Sequence, residues 1–145
     1  MKIGIASDHA GYERKTKILQ FLRKKNYDVI DYGTDSKAMD DYNDFCEKLC
    51  KHIKNKNIDY GILVCKTGIG MSMCANKIKG IYCAKADNKR EATLSRKHNN
   101  ANVLALSSKK CFFQTKAMIL AFLHTPFLNE ERFVRRINKI KKLEK

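Results

Sequence analysis

The sequence predicts an α/β fold: a Rossmann-like three-layer sandwich built on a five-stranded parallel sheet. Two observations predict it. Short apolar or β-branched runs alternate five times with longer segments that carry a helical stripe. The runs are followed at once by polar or glycine-bearing stretches: Ser7-Asp8-His9, Gly33-Thr34-Asp35, Cys65-Lys66-Thr67-Gly68 and Ser107-Ser108-Lys109. In parallel sheets, ligands sit beyond the carboxyl ends of the strands, so these stretches are where chemistry is sought. With no internal repeat, low-complexity segment or linker, residues 1–145 read as one domain.

Lys2–Ser7 is the first strand, and Tyr12 to Lys25 the first helix, with Ile18, Leu19, Phe21 and Leu22 on its stripe. Tyr27–Tyr32 is the second strand, bounded by Gly33. Asp41 to Lys54 places Phe45, Leu49 and Ile53 at four-residue intervals, which is helical spacing. Gly61–Val64 is a buried third strand and Met71–Lys77 the helix after it. Gly80–Ala84, the helix Asn88–Lys97, Val103–Leu106 and the helix Lys110–Leu123 complete the alternation. Pro126, the only proline, ends that last helix. Asn129 is then expected to cap a C-terminal helix whose apolar face is Phe133, Ile137 and Ile140. Arg132 and Arg136 flank that face, four residues apart. Such a helix suits docking on a partner subunit and lending it these arginines.

Thirty lysines and arginines against fifteen acids give a net charge of +15. The excess favours anionic partners, either phosphorylated metabolites or nucleic acid. Much of it falls on residues such as Lys15, Lys17, Arg23, Lys24, Lys139 and Lys142, which read as solvated helix faces. The rival readings of another class are a nucleic-acid-binding domain, although no aromatics interleave with a basic strand face, and a catalytically silent metabolite sensor. No apolar run approaches the ~20 residues of a membrane span, and Met1–Ala6 reads as a strand rather than a signal peptide. A soluble, cytoplasmic protein is therefore expected. The six cysteines (46, 50, 65, 74, 83 and 111) include no Cys-x-x-Cys pair and read as buried reduced thiols. Cys46 and Cys50, with His52 nearby, lack a second ligand pair, so no zinc site is expected.

Three places carry chemistry. Asp8-His9 follows the first strand; the histidine suits an anion and the aspartate a sugar hydroxyl, or Asp8 simply caps the next helix. Cys65-Lys66-Thr67-Gly68-Ile69-Gly70 has no following arginine, as a phosphatase loop would need, and no Gly-Lys-Ser/Thr, as a nucleotide loop would need. What remains is a cysteine base or nucleophile beside backbone N–H groups, or a buried cysteine before an ordinary turn. His98-Asn99 either ends a helix or supplies a general acid. His52 and His124 have no comparable setting.

Together these segments resemble the type B ribose-5-phosphate isomerases, a family that includes galactose- and allose-phosphate isomerases. The resemblance covers nearly the whole chain. It rests on Ile5-Ala6-Ser7-Asp8-His9-Ala10-Gly11, Asp31-Tyr32-Gly33-Thr34, Asp41-Tyr42, Gly61-Ile62-Leu63-Val64-Cys65, Thr67-Gly68-Ile69-Gly70, Ala75-Asn76-Lys77, Leu94 to Asn99 and Asn102-Val103-Leu104-Ala105. The resemblance implies aldose–ketose isomerisation of ribose 5-phosphate and ribulose 5-phosphate, in the pentose phosphate pathway, through an enediol(ate), without metal or organic cofactor. A hexose-6-phosphate isomerase is the nearest alternative. By matching position, Cys65 is the carbon-acid base, His98 the ring-opening acid with Asp8 helping, and Thr67 a hydroxyl near O1 and O2. The backbone from Lys66 through Gly68 and Ile69 to Gly70 is the anion hole, Asn99 a sugar contact, Tyr42 a pocket wall, and His9, Arg132 and Arg136 phosphate contacts. The family's site lies across a dimer interface, which implies a homodimer or tetramer.

This chain departs from the family pattern at five places. Lys66 and Ser107 stand where glycine is usual, Lys109 where arginine is usual, Asn43 where proline is usual, and Glu131 where glycine is usual. A positive φ at Lys66 would strain it. Lys109 keeps a phosphate-contacting charge but lacks arginine's bidentate fork.

Overall fold

The computed structural model describes residues 1–144, and the expected architecture is present. The strands are β1 (Lys2–Ser7), β2 (Asp28–Asp31), β3 (Tyr60–Cys65), β4 (Cys83–Lys85) and β5 (Val103–Ser107). They form one parallel sheet in the order β2-β1-β3-β5-β4. The helices are α1 (Tyr12–Lys24), α2 (Tyr42–Lys54), α3 (Ile69–Ala75), α4 (Lys89–Asn99), α5 (Phe112–His124) and α6 (Glu131–Lys141), with a 3₁₀ turn at His9–Gly11.

Alternate residues of the central strands supply two cores, because successive side chains of a strand point to opposite faces. Ile3, Ile5, Ile62, Val64, Leu104 and Leu106 meet Ile18 and Leu22 of α1, Ala92 of α4, and Met118 and Phe122 of α5. Ala6, Leu63, Cys65, Val103 and Ala105 meet Leu49 and Cys50 of α2 and Met71 and Ala75 of α3. Layers on both faces make the central strands continuously apolar, the pattern that marks them in the sequence.

Several boundaries and assignments differ from expectation. The fourth strand starts at Cys83 rather than Gly80, because Gly80 takes φ +81° and Ile81 N–H turns back onto the Ile78 carbonyl. Helix α3 starts two residues earlier than expected, at Ile69. Asn129 does not cap α6: it takes φ +54°, Glu130 holds the cap position, and no side chain bonds the free N–H groups. Ile140 is not buried with Phe133 and Ile137 but is 43% exposed, so the apolar face of α6 is only partly covered by its own chain. Lys15 is not a solvated lysine. Only 1% exposed, its ammonium bonds both Asp31 carboxylate oxygens at 2.7 Å and the Thr34 carbonyl at 2.5 Å, anchoring the loop after β2. Cys111 is exposed, while Cys46, Cys50 and Cys65 are buried and Cys74 and Cys83 half-buried; all six are free thiols.

Candidate active site

Strand order places β2 on one side of β1 and β3 on the other, so the chain's progress reverses between β1 and β3. A crevice opens at such a reversal beyond the strand ends. Its walls are Asp8-His9, following β1, and Cys65, closing β3; Ser7 pairs with Val64 across it. The turn after β1 is pressed onto β3 so closely that a Cβ on Gly11 would lie 2.3 Å from the Val64 carbonyl oxygen.

Cys65 is 5% exposed, and its Sγ accepts the Gly68 N–H at 3.1 Å. Gly68 reaches that position with φ +79°, a left-handed conformation that glycine takes without strain. Helix α3 begins at the next residue, so its free N–H groups and positive end face the same crevice. The Thr67 hydroxyl accepts the Ile69 N–H at 3.2 Å, and Thr67 itself is exposed. Backbone donors thus stand beside a buried thiol, an arrangement suited to holding negative charge on a nearby oxygen. The Tyr42 ring lies over Gly70, where a Cβ would come within 2.8 Å of its Cζ, so Tyr42 walls the crevice.

Lys66 is exposed and is not strained. Among the described residues the non-glycine positions of positive φ are Asn26, Lys56, Asn100 and Asn129. Its carbonyl accepts the Ser107 hydroxyl at 2.8 Å, and the Ser107 oxygen accepts the Lys109 N–H at 3.1 Å. One buried hydroxyl thus ties the loop carrying the cysteine to the loop carrying Lys109. Arg14 of α1 supports the second loop from below, donating to the Ser108 and Lys110 carbonyls.

Asp8 is 7% exposed, and its Oδ1 caps the 3₁₀ turn by accepting the Gly11 N–H at 2.9 Å. Burial raises its carboxyl above the ordinary value, although the Gly11 bond pulls the other way. The cap reading of Asp8 therefore holds, and its burial inclines the carboxyl to keep its proton. His9 is paired with Asp40, and that hydrogen bond raises the imidazole above its ordinary value.

The remaining expected residues lie elsewhere. His98 and Asn99 end α4, whose C-terminal turn sits at the amino ends of the strands. There Arg96 donates to the Tyr60 hydroxyl at 3.0 Å and to the Ala101 carbonyl at 2.6 Å. Five residues at ~3.3 Å each put that end about 17 Å from Cys65. The His98 ring stacks on Phe133 of α6, with centroids 4.4 Å apart and planes 14° from parallel. Arg132 lies over the same Phe133 ring and pairs with Glu130, and Arg132 and Arg136 are both exposed. The site residues thus fall into two sets. Asp8, His9, Tyr42, Cys65 to Gly70 and Lys109 stand at the carboxyl edge, while His98, Asn99, Arg132 and Arg136 stand at the opposite one.

Asp40, Ser107 and Arg14 are the contributors that sequence reasoning missed as supports of the site. Asp40 lies 31 residues from its partner in an irregular loop, and no local spacing links the two. Cys46, Cys74 and Cys83 cluster behind α3 with thiols raised above their ordinary value, Cys46 by Cys50 and burial, Cys74 and Cys83 by burial first. Among the described residues, no group of three or more His, Cys, Asp or Glu is arranged to hold a metal ion, and no helix is long and apolar enough to cross a membrane.

The family model described as Ribose/Galactose Isomerase matches residues 3–140. A probable ribose-5-phosphate isomerase B of Mycoplasma genitalium is 42% identical over 99% of this chain and 95% of its own length. The solved structure of ribose-5-phosphate isomerase B from Clostridium thermocellum superposes with a TM-score of 0.95 at 40% identity, covering 99% of this chain and 97% of that one. A structure of the Mycoplasma genitalium enzyme with bound ribulose-5-phosphate superposes with a TM-score of 0.91 at 40% identity, covering 98% of this chain and 95% of that one.

Proposed function

Because this chain belongs to the ribose/galactose isomerase family, we infer that it is a ribose-5-phosphate isomerase of type B, interconverting ribose 5-phosphate and ribulose 5-phosphate. The observation that carries the mechanism is the Cys65 sulfur, buried at the end of β3 and bonded by the Gly68 N–H.

In the proposed reaction an acid donates a proton to the ring oxygen while the C1 hydroxyl loses its own, opening the furanose. The Cys65 thiolate then takes the proton from C2, leaving a cis-enediolate. Its negative oxygen is held by the backbone N–H groups between Lys66 and Gly70. The same sulfur returns the proton to C1, and the Thr67 hydroxyl passes the hydroxyl proton between O2 and O1. A positioned base together with oxyanion donors is what carbon-acid chemistry requires. His9 and Lys109 contact the phosphate from the carboxyl edge.

The ring-opening acid is His98 of a second subunit. Its own chain's Cys65 is one strand length away, so a site holding both needs two copies of the chain. Asn99, Arg132 and Arg136 accompany His98 and reach the sugar and phosphate of the neighbour's site. The exposed arginines and half-covered apolar face of α6 support that arrangement. The proposed assembly is a homodimer, or a tetramer made of such dimers, working in the cytoplasm.

The test is direct turnover of ribose 5-phosphate by the purified protein, beside allose 6-phosphate and galactose 6-phosphate. The pentose is expected to be the best substrate. A protein turning over only a hexose phosphate overturns the pentose assignment, and undiminished turnover by Cys65→Ala overturns the base.

A further inference from the structure

His9 presents two ring nitrogens, and one of them is already committed. Its Nδ1 meets Asp40 Oδ1 at 2.9 Å, and its backbone N–H donates to the same oxygen at 2.9 Å. The Asp40 backbone N–H also lies 3.3 Å from Nδ1, but the shorter contact is with the carboxylate, whose oxygen only accepts, and this assigns the proton to Nδ1. The double attachment fixes the ring as well as the backbone. Nε2 is then directed away from Asp40, on the open side of a residue 33% exposed. A free histidine titrates near pH ~6.5, so near neutral pH most of it carries no charge. The charged groups facing His9 are Asp40, from the loop between β2 and α2, and Asp8, at the end of β1; both are acids. Each favours the imidazolium, and Asp40 does so through a direct bond.

We propose that Asp40 is a positioning residue that holds His9 as an imidazolium with its Nε2–H aimed at the anionic end of the substrate. The proposal rests on the isomerase reading for the identity of that substrate and deepens it: the phosphate-side cation at this edge is a histidine with a built-in counter-ion. The arrangement compensates for Lys109, a point charge without a bidentate fork. It also makes phosphate affinity, rather than the proton-transfer steps, depend on the titration of this pair.

The test is Asp40→Asn, which keeps the shape of the side chain and removes its charge, with Asp40→Glu as the conservative variant. For Asp40→Asn, KM for ribose 5-phosphate is expected to rise about tenfold near pH 7.5, the size of one charge-assisted hydrogen bond. The change in kcat is smaller. The pH at which KM begins to climb moves down, and Asp40→Glu recovers part of the loss. Adding Asp40→Asn to His9→Asn raises KM no further. Independently of turnover, the His9 imidazole resonances in a proton–carbon NMR titration move to lower pH in Asp40→Asn. An unchanged His9 titration, or additive effects of the two substitutions on KM, overturns the proposal. A wild-type protein inert toward ribose 5-phosphate sinks the functional reading and with it the substrate half of the proposal, while the NMR titration still decides the pairing.

Discussion

Gly68 donates its backbone N–H to the Cys65 sulfur at 3.1 Å, and it does so from a backbone conformation of φ +79°. The sulfur is held by a contact that no side chain supplies. Substitution must therefore act through the backbone at one end of the bond and through the thiol at the other.

Replacing the thiol separates binding from chemistry. Cys65→Ala is expected to abolish isomerisation while ribose 5-phosphate still binds with a Kd within a few-fold of the parent, as read by calorimetry. Gly68→Ala is expected to lose activity and about 1–2 kcal/mol of stability, because an L-residue is disfavoured in the left-handed region. Its Cβ would also meet the Leu106 carbonyl carbon at 3.1 Å. Urea unfolding and kcat measure the two effects.

Placing His98 and Cys65 at opposite edges of one sheet makes a complementation experiment decisive. Cys65→Ala and His98→Asn are each expected to be inactive alone. Unfolded together and refolded, half the dimers of a symmetric two-site assembly are mixed, and each mixed dimer carries one intact site, restoring about a quarter of the parental activity. No recovery from a mixture that demonstrably forms mixed dimers would mean that each site draws on a single chain.

Ser107 joins the two loops that flank the site, through the Lys66 carbonyl and the Lys109 N–H. Ser107→Ala leaves both groups without this partner and is expected to cost about 1–3 kcal/mol, the penalty for an unpaired polar group near the core. Because the loops carry the proposed base and a proposed phosphate contact respectively, kcat should fall and KM rise together. Thermal unfolding and steady-state kinetics would show it, and a variant unchanged in both would remove the strap from the account.

Asp8 is held above its ordinary carboxylate value, chiefly by burial. The folded state keeps that proton to higher pH than the unfolded chain does. The cost of ionising Asp8 in place appears as pH rises through the ordinary carboxylate range to the folded value, and persists above it. Asp8→Asn keeps the Oδ1 cap on Gly11 and removes the charge. It should therefore be more stable than the parent at neutral pH, with the gain vanishing near pH ~4 and below. Turnover should fall. Melting curves at the two pH values test the sign.

Lys15 is completely enclosed, with Asp31 and the Thr34 carbonyl as partners. Lys15→Met preserves length and removes the charge, leaving Asp31 without its cation. A loss of about 1–3 kcal/mol is expected, chiefly because the buried Thr34 carbonyl loses its donor while Asp31 stays in contact with water, and denaturant midpoints would measure it.

The parallel sheet and its helices are legible because both faces of the central strands are buried, which writes continuous apolar runs between helical stripes. β4 is the exception. It is a three-residue edge strand with half-buried side chains, too short for a periodicity to declare its start. The cysteine turn and Asp8-His9 stand out because they directly follow strands. The solvated reading of Lys15 fails because its partners are a strand end and a backbone carbonyl 16 and 19 residues away. Asp40 and Ser107 are silent for the same reason: each acts on a loop distant in sequence, by one hydrogen bond with no repeating signature. The cap at Asn129 is misread because composition favours asparagine there, while the backbone after α5 turns left-handed at that residue and hands the cap to Glu130.

The stacking of His98 on Phe133, a full strand length from the cysteine, has a kinetic consequence. Once diluted below its dissociation constant, the proposed assembly would fall into chains that each hold half of the chemistry, so rate per chain would become a function of protein concentration. Newly made protein would then stay silent until it meets another copy, and specific activity across a dilution series is expected to read out the association constant.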